Sequence, residues 1–265
     1  MDPSDPRTYL TAVHAARPAP VLDETGLDLD VDGLTVRSRL VRPDGPVRAA
    51  VLLVHGWTSA AGLHDLDVAR DLARSGLITL AVDLPGHGRS DGVREDIPLR
   101  TFVAAVLAAH DALRDAAGAL PVLAVGSSFG GYLCARLAGE RPLHAVALRV
   151  PANYPDGQDD HPVGGIVGPE AVAWREQSLP SRATAAMRGL ADVGGDVLVL
   201  QAEHDELIPA QSIANLVRDV PAGRLSHVVL VGAPHVIYTE PAVRAAADDL
   251  VATWVREHTG VLAYA

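Results

Sequence analysis

The sequence predicts an α/β fold: a mostly parallel central sheet with helices on both faces. Three observations predict it. Continuous apolar runs such as Ala49–Val54, Leu77–Val82 and Val122–Val125 have the composition of strands covered on both sides. Stretches of helical period stand between them, and strands alternating with helices imply right-handed parallel crossovers. The run at Val122 ends in Gly126-Ser127-Ser128-Phe129-Gly130, a strand-to-helix turn of the form G-x-S-x-G.

In chain order, residues 1–20 read as a loosely packed arm. Leu27–Val31 and Leu34–Leu40 alternate apolar and polar, as half-exposed strands do, and Asp32-Gly33 between them is a two-residue hairpin turn. The buried strand Ala49–Val54 is followed by a helix near His64–Arg74 that stops at Gly76. Leu77–Val82 is the next strand and Thr101–Ala117 a long helix with Phe102, Val106 and Leu113 inward. The strand ending at the serine turn and its helix, Tyr132–Leu137, come next, then a strand at Ala145–Leu148. Regular alternation breaks between Pro151 and Gly195, a Pro-, Gly-, Asp- and His-rich insertion with helical pieces near Pro169–Gln177 and Ser181–Leu190. It resumes with a strand at Val197–Leu200, a helix near Ala210–Val220, a strand at Val228–Val231 and a last helix near Val243–His258. The 265 residues suit one domain, 1–265, with 151–195 as a short insertion.

Composition narrows the function. Hydrophobic residues make up 48 % and aromatics 4 %, so a large core must be built from Val, Leu and Ala. The net charge of −11 argues against nucleic acid or an anionic membrane as partner. All 22 basic residues are arginine; without lysine there is no P-loop site and no lysine Schiff base. One cysteine, Cys134, excludes an intramolecular disulfide and a cysteine metal cluster, and it reads as a small buried hydrophobe. Met1–Pro6 lacks a basic and an apolar leader region, and no run reaches membrane-span length, so a cytoplasmic protein is expected.

The serine turn is where chemistry is expected. A serine hydroxyl attacks a carbonyl only when held out of the sheet, beside a base and near donors for the oxyanion. A sharp turn does this at the cost of backbone strain. Gly126 and Gly130 remove side chains where strand and helix would collide, and the first helical N–H groups, Phe129 included, face the reacting atom. The other strands end in loops that would share this rim: His55-Gly56-Trp57, Asp83–Gly92, Glu203–Pro209 and Gly232–His235.

These motifs together, H-G-W, D-L-P-G-H-G-R-S, G-x-S-x-G-G, the acidic turn before Ile208-Pro209 and a late histidine, resemble the α/β-hydrolase superfamily over roughly residues 26 to 258. The resemblance is to serine hydrolases of the esterase, lipase-like and S33-peptidase-like kind, and it implies the α/β-hydrolase fold with a short lid at 151–195. It implies Ser128 as nucleophile, Asp205 as acid and His235 as base, with an oxyanion hole from the N–H groups of Trp57 and Phe129. Ser127 is a rival hydroxyl off the apex of the turn, and Glu203 or Glu206 rival acids. His55 and His87 are expected to shape loops, His161 and His204 to be exposed. Asn153, Tyr154 and Trp174 are the candidate substrate contacts, with Trp174 alternatively an anchor of the lid. No cofactor or metal is expected.

The activity implied is cleavage of a small-molecule carboxylic ester or thioester through an acyl-enzyme. The same scaffold also serves lyases and cyclases, C–C bond hydrolases and small-peptide aminopeptidases; for the last, Asp156, Asp159, Asp160 or Glu170 would hold the amine. Asp at the elbow, as in haloalkane dehalogenases and epoxide hydrolases, or Cys, as in dienelactone hydrolases, is replaced here by Ser. A binding module on this fold would have lost a member of the triad, and none is missing.

Overall fold

Asp32 and Gly33, both at positive φ (53° and 77°), turn the chain between β1 (Leu22–Val31) and β2 (Leu34–Pro43), which pair antiparallel with Val31 opposite Leu34. In this computed structural model, which describes residues 20–62 and 64–260, that hairpin starts an eight-stranded sheet in the order β1-β2-β4-β3-β5-β6-β7-β8. The expected N-terminal arm lies, apart from Pro20, outside the described residues.

β2 meets β4 (Leu77–Val82) antiparallel; every later pairing is parallel, through β3 (Ala49–Val54), β5 (Val122–Ser127), β6 (Ala145–Arg149), β7 (Asp196–His204) and β8 (Leu225–Pro234). The central strands are apolar throughout because each face has its own core. Leu52, Val54, Val122 and Ala124 point into one core with Phe102, Val106 and Leu113 of α2 (Leu99–Ala117) and Leu133 and Leu137 of α3 (Phe129–Glu140). Val51, Leu53, Leu123 and Val125 point into the other. There they meet Val68 and Leu72 of α1 (Asp65–Arg74) and Val251 and Val255 of α7 (Pro241–Thr259). Strand residues thus alternate between two aliphatic layers, as the pleat demands.

The insertion divides into two parts. Its first stretch is laced to the loop before α2: Leu99 and Arg100 donate to the carbonyls of His161 and Asp159, and Val163 and Gly164 to those of Ile97 and Glu95. A short helix α4 (Pro169–Arg175) follows. Helix α5 (Ala185–Asp192) buries Ala186, Met187 and Leu190 and lies on α3 where Gly139 faces Gly189, so close that a Cβ on Gly189 would stand 2.0 Å from the Ala135 carbonyl oxygen. Only the α4 part overlies the rim; α5 belongs to the layer on the sheet. Helix α6 (Ala210–Val217) joins β7 to β8. The strand order places β4 and β5 on opposite sides of β3, so a crevice opens at the carboxyl ends of β3 and β5.

Candidate active site

Ser128 sits between β5 and α3 with φ 50° and ψ −112°, a region L-residues avoid. The turn is fixed from three directions. Ser128 N donates to the Arg149 carbonyl (2.8 Å), and its own carbonyl accepts from Tyr132 N (3.1 Å) and Ala152 N (3.0 Å). The two glycines explain themselves sterically. A Cβ on Gly126 would stand 2.4 Å from the Gly130 carbonyl oxygen, and one on Gly130 would stand 2.2 Å from that of Val54.

The acid turn after β7 is a local hydrogen-bonded device. Asp205 Oδ1 accepts from the backbone N–H of Leu207 (3.0 Å) and Ile208 (2.7 Å). That leaves Oδ2 for the Nδ1–H of His235 at 2.8 Å, and His235 Nε2 accepts from Ser128 Oγ at 2.9 Å. The carboxylate side chain is 3 % exposed and the imidazole 10 %. Three side chains from distant parts of the chain therefore form one hydrogen-bonded line. The rivals are elsewhere: Glu203 accepts from Gly232 N, Glu206 is exposed, and Ser127 Oγ accepts from Arg149 behind the turn. Phe129 N is the first amide of α3, without an intrahelical acceptor, and Trp57 follows β3 across the crevice.

Ser128 and His235 open onto a cleft of about 580 Å³ whose walls include Trp57, Tyr154, Val172, Arg175 and Ile208. Of the three expected contacts, Tyr154 lines it. Asn153 does not. It is fully buried behind the wall, where its Oδ1 accepts from Tyr154 N and Thr184 Oγ1 and its carbonyl from Arg175 Nε. Trp174 does not line it either: Pro169, Val172, Ala173 and Glu176 form the cleft-facing stripe of α4, and Trp174 falls off that stripe. Sequence reasoning missed Arg175 and Val172. The i, i+3, i+4, i+7 spacing of that stripe is the signal that points to Val172; Arg175 lies off it, one turn beyond Val172, and the spacing does not mark it.

Residues 45–159 match a family model described as serine aminopeptidase, S33. The chain is 28 % identical to a monoacylglycerol lipase of Mycolicibacterium smegmatis over 277 residues, covering 86 % of this chain and 95 % of that one. A human monoglyceride lipase is 32 % identical over 121 residues, 45 % of this chain and 40 % of the human one. The fold matches Est1E from Butyrivibrio proteoclasticus, solved with ferulic acid bound, at a TM-score of 0.66 and 19 % identity, over 85 % of this chain and 97 % of that one. The chain has the α/β-hydrolase fold. These relatives group it with hydrolases of the lipase and esterase kind.

Within this fold the acids named for amine binding are mostly engaged: Asp156 pairs with Arg188, Asp159 with Arg136 and Asp160 with Arg100, each on the insertion or its flank. Among the described residues no group of His, Cys, Asp and Glu is arranged to hold a metal, and no helix is long and apolar enough to cross a membrane.

Behind the elbow the hydrolase buries an ion cluster. Arg149, 1 % exposed, donates from Nε to Ser127 Oγ, from Nη2 to Asp65 Oδ1 and from Nη1 to Asp248 Oδ1, each at 2.8 Å. Burial raises the Asp65 and Asp248 carboxyls above their ordinary range, and the arginine partly offsets this.

On the opposite side, aromatic rings that are rare in this sequence gather: Trp57 meets His87 edge-on at 5.1 Å and Phe129 at 5.5 Å, and Phe129 meets Phe102 at 5.3 Å. His55 holds the floor, its Nδ1–H donating to the Gly56 carbonyl while Nε2 accepts from Leu84 N. His87 donates from Nδ1 to the Pro85 carbonyl. Burial, then the neighbouring His55, push its pKa from 6.5 down to about 4. The folded state therefore prefers neutral His87, while an unfolded chain takes up the proton below about 6.5. The stability this gives is complete above pH 6.5 and is lost as pH falls toward 4. Replacing His87 by Gln should make the loss of unfolding free energy between pH 7 and pH 5 about 2 kcal/mol smaller than in the parent, measured by urea titration at both pH values.

Proposed function

We propose that the protein is a serine hydrolase that cleaves a carboxylic ester or thioester of a small molecule through an acyl-enzyme. The observation that carries this reading is the unbroken line from Asp205 through His235 to Ser128, at 2.8 and 2.9 Å, ending on a strained turn at a cleft. His235 takes the hydroxyl proton as Ser128 Oγ attacks the carbonyl carbon, then passes it to the leaving alcohol or thiol. It next takes a proton from water, which attacks the acyl carbonyl, and returns it to Ser128 as the acid leaves. Asp205, held by two backbone amides, fixes the Nδ1–H tautomer and stabilises the imidazolium. The N–H groups of Phe129 and Trp57 serve the oxyanion. Mostly apolar walls suit an acyl chain, in keeping with the monoacylglycerol lipases among the relatives.

A fluorophosphonate should add once to the chain, on the peptide carrying Ser128, and intact-mass analysis during turnover of a slow ester should catch an acyl adduct on the same serine. Turnover without an adduct would favour lyase or cyclase chemistry by the same three residues. Labelling elsewhere, with ester turnover intact, would remove Ser128 from the mechanism.

A further inference from the structure

An arginine keeps its charge inside a protein, so a buried guanidinium needs something to answer it. Arg175, at the end of α4, is 5 % exposed and stands on the wall of the cleft that holds Ser128. Its Nε donates to the Asn153 carbonyl at 3.0 Å and its Nη1 to the Leu207 carbonyl at 3.2 Å. The guanidinium lies 4.6 Å from the centroid of the Tyr154 ring and interacts with that phenol. All these partners are neutral.

The contrast with the other well-buried arginines is plain. Arg149 meets Asp65 and Asp248, and Arg136 meets Asp159. Among the described residues Arg175 has no carboxylate within ion-pairing distance. Glu176, next in sequence, is exposed at the cleft and does not pair with it. The backbone carbonyls pin the fork in place, and Val172, Ile208 and Val167 keep that part of the wall apolar. Nε and one N–H of Nη1 are spent on those carbonyls, which leaves Nη2 and the second N–H of Nη1 as a fixed, desolvated pair of terminal donors on the wall of the cleft that also holds Ser128. A carboxylate recognises such a pair well, because charge-assisted bonds form without reorganising the protein.

We propose that Arg175 is a specificity-determining residue that selects esters carrying a free carboxylate, such as half-esters of dicarboxylic acids. A neutral ester in the same cleft leaves the cation unanswered. The proposal rests on the ester-hydrolase reading above and narrows its substrate class.

The test compares matched probes on the full chain. The mono-p-nitrophenyl ester of adipic acid is set against p-nitrophenyl hexanoate, which places the carboxylate on the acyl side. Next, 4-acetoxybenzoate is set against phenyl acetate, which places it on the alcohol side. Because Nη1 also holds the Leu207 carbonyl beside Asp205, substitutions at 175 will move all rates, so the readout is the ratio of kcat/KM between anionic and neutral probe. In the parent enzyme at least one pair should favour the anion by roughly tenfold or more. Arg175→Gln should bring that ratio to near one, and Arg175→Lys should retain part of it. A parent ratio near one for both pairs, or a fall in Arg175→Gln that is equal for anionic and neutral probes, overturns the proposal and leaves Arg175 a tie between α4 and the acid turn. The parent ratio decides alone if Arg175→Gln does not fold. Absence of turnover with every probe, or turnover surviving Ser128→Ala, would instead defeat the ester-hydrolase reading itself.

Discussion

Ser128→Ala should lower kcat for a p-nitrophenyl ester by roughly four to six orders of magnitude, with KM little changed. The hydroxyl is the atom that His235 faces at 2.9 Å, and no second hydroxyl stands in its place: Ser127 Oγ is turned away to Arg149. What remains is binding and the oxyanion donors, which act on attacking water far more weakly than on a bound nucleophile. The fold should survive. Alanine at φ 50° bears about the same backbone strain as serine, and the backbone bonds to Arg149 and Tyr132 do not involve the side chain. Single-turnover assays, with a thermal melt run beside them, measure this. A variant within tenfold of the parent would require a different nucleophile.

Arg149→Met should cost about 3–5 kcal/mol of unfolding free energy, the largest stability effect expected in the chain. The loss comes less from the bonds removed than from what stays behind. Asp65 is buried and Asp248 half-buried, and each would lose its cation. Protonation then becomes the cheaper state for Asp65. The deficit should therefore shrink as the medium is acidified below neutrality, and Asp65→Asn in the same chain should recover part of it. Urea midpoints of the parent, the single and the double variant, at pH 7 and pH 5.5, test this. Equal midpoints for parent and Arg149→Met would show that the cluster contributes nothing net.

Much of the fold can be read along the chain because its central strands are apolar on both faces. Val51 and Leu52 point to opposite cores, yet both must be aliphatic, so the run at 49–54 could be bounded to the residue. The sequence shows only Val228–Val231 of the ten-residue β8, for the converse reason. As an edge strand it leaves Val229 and Val231 46 % and 81 % exposed and mixes Ser, His and Gly among them, so its pattern fades at both ends. The helix at Ser181–Leu190 begins later, at Ala185, because Thr184 supplies the cap, its hydroxyl accepting from Met187 N.

In the site, Ser128 was marked by local steric demands that only a G-x-S-x-G spacing meets. Asp205 and His235 were marked by their places after strands, an argument that needed the family pattern as well. The insertion was harder. Asn153 is polar and near the rim, which suggests a ligand contact, but a buried amide can equally serve as a junction for backbone groups, and here it does. Nothing local distinguishes the two. Residue type alone does not place Trp174, because the direction a helical side chain takes depends on the phase of α4 against the rim.

The scarcity of rings gives the cleft an optical handle. The chain has three tryptophans, and Trp57 stands on the cleft wall against His87, whose low pKa keeps it an uncharged and so weakly quenching neighbour near neutrality. Excited at the red edge of indole absorption, the native protein should report ligand arrival as a change in emission, with no label attached. In a chain whose serine hydroxyl has been removed, the same signal would follow an ester that enters, stays intact and leaves, giving an affinity for the true substrate instead of an analogue.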